Sequence, residues 1–191
     1  MIKFYTNQEL SRRFNIKLSR WKRWSREFLP PDPLGGLQSG YARQYNLDQA
    51  FSVFLGGYLV GDLKFTIPEA RLILKDLHNW LVEKQFYFNF SGRTPVAGEN
   101  HMDIQYYQIA IGRMAPDAAD GAGLSYCLKS VTADEWMDVN GNRVHQKTSV
   151  EEVVNSAATD VSINAMASYR VLNISVLHHT FLNALKQDSG A

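Results

Sequence analysis

The sequence predicts a mainly α N-terminal half followed by an α+β C-terminal half with an antiparallel sheet. Three observations carry this expectation. Apolar residues recur at three- and four-residue steps up to about Lys84, the period of amphipathic helices. Beyond Phe86 the pattern changes to short runs rich in β-branched and aromatic residues, separated by glycine, proline and asparagine, as in strands joined by turns. Asn140-Gly141 then sits between two extended segments, a strong hairpin signal. These patterns divide the chain into residues 1–85 and residues 86–191.

Thr6-Asn7-Gln8-Glu9 has the form of a capping box, Thr6 receiving the Glu9 amide and Glu9 reaching back, so the first helix is expected to begin here. Leu10 and Phe14 form its buried edge, and Asn15 tolerates the left-handed conformation that ends such a helix. A second helical pattern follows, with Leu18, Trp21, Trp24 and Phe28 in step. Two short helices joined this tightly read as helix-turn-helix. Trp21 and Trp24 lie on the stripe facing the first helix, which makes them core residues rather than stacking platforms.

The apolar stripe leaves Ser19, Arg20, Lys22, Arg23 and Arg26 on the other face. Arginine near the start of such a helix suits guanine O6 and N7, whereas lysine and the more distal arginine suit the phosphate backbone. Charge supports this reading. Residues 1–45 hold 9 Lys/Arg against 3 Asp/Glu, and residues 1–90 hold 13 against 8, while residues 91–191 hold 7 against 11. A local basic excess gains affinity for nucleic acid by releasing counterions.

Leu29-Pro30-Pro31-Asp32-Pro33 stops the second helix. The glycine-rich stretch from Leu34 to Tyr45 reads as a hairpin that presents Arg43 beside a groove, so the whole is a winged helix-turn-helix. Asn46 caps a third helix through Leu47, Ala50, Phe51, Phe54, Leu55 and Leu59. Thr66-Ile67-Pro68-Glu69 opens a fourth, running to about Lys84, whose Ile73, Leu77, Trp80 and Leu81 offer a short dimer face.

In this order and near spacing, the N-terminal part resembles the MerR family of bacterial transcription regulators over about residues 4–77. The resemblance rests on Phe4 to Ile16, Trp21-Lys22-Arg23-Trp24, the proline stop, Ser39-Gly40-Tyr41, Tyr45 to Asp48, and Leu63 to Ala70. It departs in two places: Glu27-Phe28 precedes Leu29 where the family has glycine, and Ala42 separates Tyr41 from Arg43. The long coiled-coil helix through which the family dimerises is not evident either. The resemblance implies double-stranded DNA as partner, a homodimer, and contacts from Ser19, Arg20, Lys22, Arg23 and Arg43. The expected DNA-binding set adds Arg26, Tyr41, Arg12 and Arg13.

In the C-terminal half, residues 104–111 and 124–131 have the length and composition of strands, and Trp136–Val139 and Arg143–His145 flank the hairpin dipeptide. A short helix is expected to start at Thr148, a strand to run over residues 169–174, and a last helix to follow through Leu177, Phe181 and Leu185. This half is expected to dimerise or to sense an effector. The aromatic cluster of Phe86, Tyr87, Phe88, Phe90, Tyr106 and Tyr107 suits either packing or a small apolar or aromatic effector.

Catalysis is not expected, because no acid, base and nucleophile converge. His178 and His179 are adjacent and project about 100° apart on a helix, unlike a zinc pair, and Cys127 reads as buried packing. No metal or cofactor is expected. The single cysteine rules out an intramolecular disulfide, no apolar run reaches about 18 residues, and the first six residues lack the apolar stretch of a secretory signal. A cytoplasmic protein without membrane contact is the expectation. Two other classes remain open at this point: an enzyme whose basic unit only recruits it to nucleic acid, and an interaction adaptor in which that unit contacts protein.

Overall fold

The computed structural model describes residues 4–32, 42–87, 106–114, 123–154 and 166–186. They form six helices and two antiparallel sheets, an α+β layout. The chain divides into two compact units, residues 1–95 together with 178–191, and residues 96–177. Sequence places a boundary after residue 85 and groups the last helix with the strands. In the structure Phe86, Tyr87 and the chain from His178 onward belong to the helical unit.

The helical unit opens with β1 (Tyr5–Thr6), α1 (Asn7–Arg13) and α2 (Leu18–Phe28), then β2 (Gln44–Tyr45), α3 (Leu47–Gly61), α4 (Ile67–Asp76) and α5 (His78–Glu83). Thr6 receives the Glu9 amide at 3.2 Å, as expected of the first cap. The other half of that box is not made, because the Glu9 carboxylate holds Arg13 at 2.9 Å instead. Asn46 with Gln49 and Thr66 with Glu69 both form complete boxes. Asn15 takes the left-handed conformation, φ 51°, that ends α1.

α3 lies at the centre. Its sequence carries only Asp48 as a charge, and Ala50, Phe51, Val53, Leu55 and Leu59 are all buried, the pattern of a helix covered on every side. Gly56 and Gly57 let α2 come close: a Cβ at either would overlap the Phe28 or Trp24 ring. Trp21, Trp24 and Leu10 are buried as expected. Leu18 is not; it is 38% exposed at the first position of α2.

The expected fourth helix is two. Leu77 closes α4 and opens α5, its amide shared between the carbonyls of Ile73 and Lys75. The expected dimer face is consumed inside the unit, since Ile73, Leu77, Trp80 and Leu81 are each at most 6% exposed. Phe86 stacks on Trp80 at 5.8 Å, and the Tyr87 hydroxyl bonds Ser52 at 3.1 Å; burial pushes the Tyr87 phenol up, so it stays neutral.

The last helix, α6 (Ile174–Lys186), completes this core. Phe181 is fully buried, with its ring 5.3 Å from Phe14, 5.1 Å from Phe51 and 5.6 Å from Phe54. His178 lies edge-on to Phe51 and Phe86 at 5.0 and 5.3 Å. Burial, and secondarily repulsion from His179, hold its imidazole below the usual histidine range, while the Phe86 backbone opposes the shift.

The second unit is a sheet of order β5-β4-β3-β6, from β3 (Tyr106–Met114), β4 (Ser125–Val139), β5 (Asn142–Val154) and β6 (Met166–Leu172). Every pairing is antiparallel. Ile109 lies between Leu128 and Leu172, and Ile111 is opposite Tyr126; directly opposed side chains share a face, and these five are at most 3% exposed. The other face carries Ala110, Cys127 and Met166, all buried. The Asn140-Gly141 turn is confirmed, with φ 52° and 80°. Its register runs on through β5, so residues 148–152, expected to start a helix, are strand, paired with Leu128 to Ala133. Pairing along a long neighbour outweighs a local capping signal. Past Val131, β4 pairs among the described residues with β5 alone, as a two-stranded ribbon with Trp136, Met137, Val139 and Val144 exposed.

Candidate nucleic-acid interface

Three buried contacts fix α2 in place. Trp21 and Trp24 anchor it from beneath. At its side the Tyr45 hydroxyl lies 2.5 Å from Asn7 Oδ1 and 2.7 Å from Ser25 Oγ. Burial pushes the Tyr45 phenol up, so its single proton is retained; it donates to Asn7 and accepts from Ser25. One hydroxyl therefore ties β2 to α1 and α2, and β2 pairs with β1 through Tyr5 opposite Tyr45. The segment expected as a wing hairpin falls mostly on residues 33–41, outside the described residues together with Tyr41.

Outward from this base, Ser19, Arg20, Lys22, Arg23 and Arg26 are all exposed on α2. They are not equivalent. The Arg20 guanidinium lies over the Trp24 ring, 5.9 Å from its centroid. The one acidic side chain of α2, Glu27, is held by Arg71 of α4, so it does not offset the remaining cations. Lys22 and Arg26 face an open cleft of about 840 Å³ whose lining also includes Leu18, Leu29, Pro30, Asp32 and Arg43. Arg43 donates to the Pro30 carbonyl at 2.9 Å and lies over the Tyr45 ring at 5.6 Å, which sets its position against the end of α2.

The two arginines closing α1 separate. Arg12 is exposed. Arg13 is 7% exposed, paired with Glu9, and donates to the Leu185 carbonyl at 3.1 Å. It satisfies the C-terminal carbonyls of α6, where a cation is favoured, and takes no part in the basic surface. Sequence also missed Asn7, Ser25 and Tyr45 as the struts of this surface. The signal was faint: the tyrosine that ends the expected wing and a serine on the apolar side of α2.

The aromatic cluster considered for an effector is divided. Phe86 and Tyr87 are core residues of the helical unit, Tyr106 and Tyr107 lie on β3, and Phe88 and Phe90 fall outside the described residues. Cys127 is buried, with its sulfur 3.9 Å from Glu151. Among the described residues no three His, Cys, Asp or Glu side chains converge on a metal position, and no helix is long and apolar enough to cross a membrane. No protein-family model matches the chain, and no curated protein is significantly similar to it.

Proposed function

We propose that the helical unit is a winged helix-turn-helix of MerR-like kind that binds double-stranded DNA, and that two copies read a pseudo-palindromic operator to regulate transcription. The observation that carries this reading is the solvent face of α2. Lys22, Arg23 and Arg26 are exposed there, on a helix anchored by two buried tryptophans; Glu27 of the same helix is held by Arg71, and the cations outnumber Asp32, the one carboxylate among the described residues that line their cleft. Such a helix presents side chains at a set depth in the major groove. Arg43 and Arg12 flank it as phosphate contacts. Arg13 drops out of the expected set, because its guanidinium is spent on α6. Pairing of two copies belongs to the sheet unit, since the α4 and α5 face is used in the core.

The test is a gel-shift of the full chain on duplex fragments from its own upstream region, repeated across salt. If about four phosphates are neutralised per protomer, hence about eight per dimer, affinity falls roughly ten-thousandfold between about 50 and 200 mM salt. Lys22→Ala and Arg26→Ala each weaken binding about tenfold and flatten that dependence. Absent or salt-insensitive binding overturns the reading.

A further inference from the structure

We propose that Leu18 is a specificity-determining residue that recognises the 5-methyl group of a thymine in the major groove; this rests on the DNA-reading role given above to α2. An exposed leucine is by itself ordinary. The position of this one is not. It opens α2 and is 38% exposed, while the other apolar side chains of the helix, Trp21, Trp24 and Phe28, are buried or half-buried. With Lys22 and Arg26 it forms a row at four-residue spacing, a ridge about 12 Å long, and all three line one cleft with Arg43.

Residues at the N-terminal end of a helix lying in the major groove contact base edges. There a leucine has one chemical match. Thymine alone presents an apolar group, its 5-methyl, whereas guanine, adenine and cytosine present acceptors and amines. Against those bases Leu18 would cover a polar edge and offer it no hydrogen bond, a loss that adds to the discrimination. One row of α2 thus combines an apolar reader at its start with two cations further along.

The experiment uses the duplex that the full chain enriches from a random library, with each thymine replaced in turn by uracil, which removes only the methyl. At one symmetry-related pair of thymines the replacement weakens wild-type binding about fourfold, the worth of one buried methyl-sized contact. Leu18→Ala removes the contact in both copies and so loses about the square of that factor on the thymine duplex, and on it the uracil replacement has no effect. Alanine is the best helix former, and circular dichroism checks that α2 persists. Wild-type indifference to every replacement, or undiminished sensitivity in Leu18→Ala, overturns the inference while leaving DNA binding intact. Failure to enrich any duplex overturns the DNA-reading assignment, and this inference with it.

Discussion

Gly57 of the helical unit lies under the Trp24 ring, where no side chain would fit, while a Cβ at Gly141 of the sheet unit would stand in open space, and glycine is there for its φ of 80°. The same residue type answers two different demands. In the helical unit it permits close approach between distant segments, so stability resides in aromatic packing. In the sheet unit it permits a turn, and the turn sets the register of the paired strands on either side of it. One unit is specified by long-range fit and the other by local conformation.

The largest test of this contrast is Phe181→Ala, expected to cost the helical unit about 3–5 kcal/mol by opening a cavity among three aromatic rings. Urea denaturation followed by aromatic fluorescence measures it. A loss under about 1 kcal/mol would show that α6 is not part of that core. Gly57→Ala comes next, at about 1–3 kcal/mol of overpacking, partly offset by the better helix propensity of alanine; if the variant is more stable than wild type, the close approach of α2 and α3 is not a constraint. Gly141→Ala is expected to cost about 1 kcal/mol, all of it conformational, whereas Gly141→Asn recovers most of it because asparagine tolerates that backbone. Equal losses for both would place the cost in packing rather than in φ.

The smallest effect is titration of His178. Its imidazole is held below the usual range in the folded chain, so the unfolded chain binds its proton first. The stability linked to this group is therefore present above about pH 6.5 and is lost as pH falls below that value. Melting temperatures measured across that window should decline in wild type and decline less in His178→Phe, which keeps a ring against Phe51 and Phe86. Parallel curves would remove His178 as the cause.

Legibility in the sequence followed the same division between local and distant causes. Thr6, Asn46 and Thr66 announced their helices because a cap involves residues three apart, and Asn140-Gly141 announced its hairpin for the same reason. Residues 148–152 misled because their capping signal is local while the strand they join is set by pairing with β4. The return of α6 could not be read at all, since nothing near Phe181 encodes Phe14. At the candidate interface the exposed cations of α2 were legible from helical period. Arg13 was not, because its use depends on the carbonyls of residues 184 and 185. Leu18 was misplaced for a related reason: periodicity gives a residue's side of the helix but not whether a neighbour extends far enough to cover it.

The contacts made by α6 also bear on how fast the chain can fold. Arg13 and Leu185 are 172 residues apart, and Phe14 meets a ring almost as far along the chain. Closing so long a loop is entropically costly and yields no contact until it is complete, which slows folding. During synthesis the helices up to α5 leave the ribosome long before α6 exists, so Phe14, Phe51 and Phe54 wait with one side of their core open. The helical unit begins first in sequence, yet its core cannot close until α6 has been made.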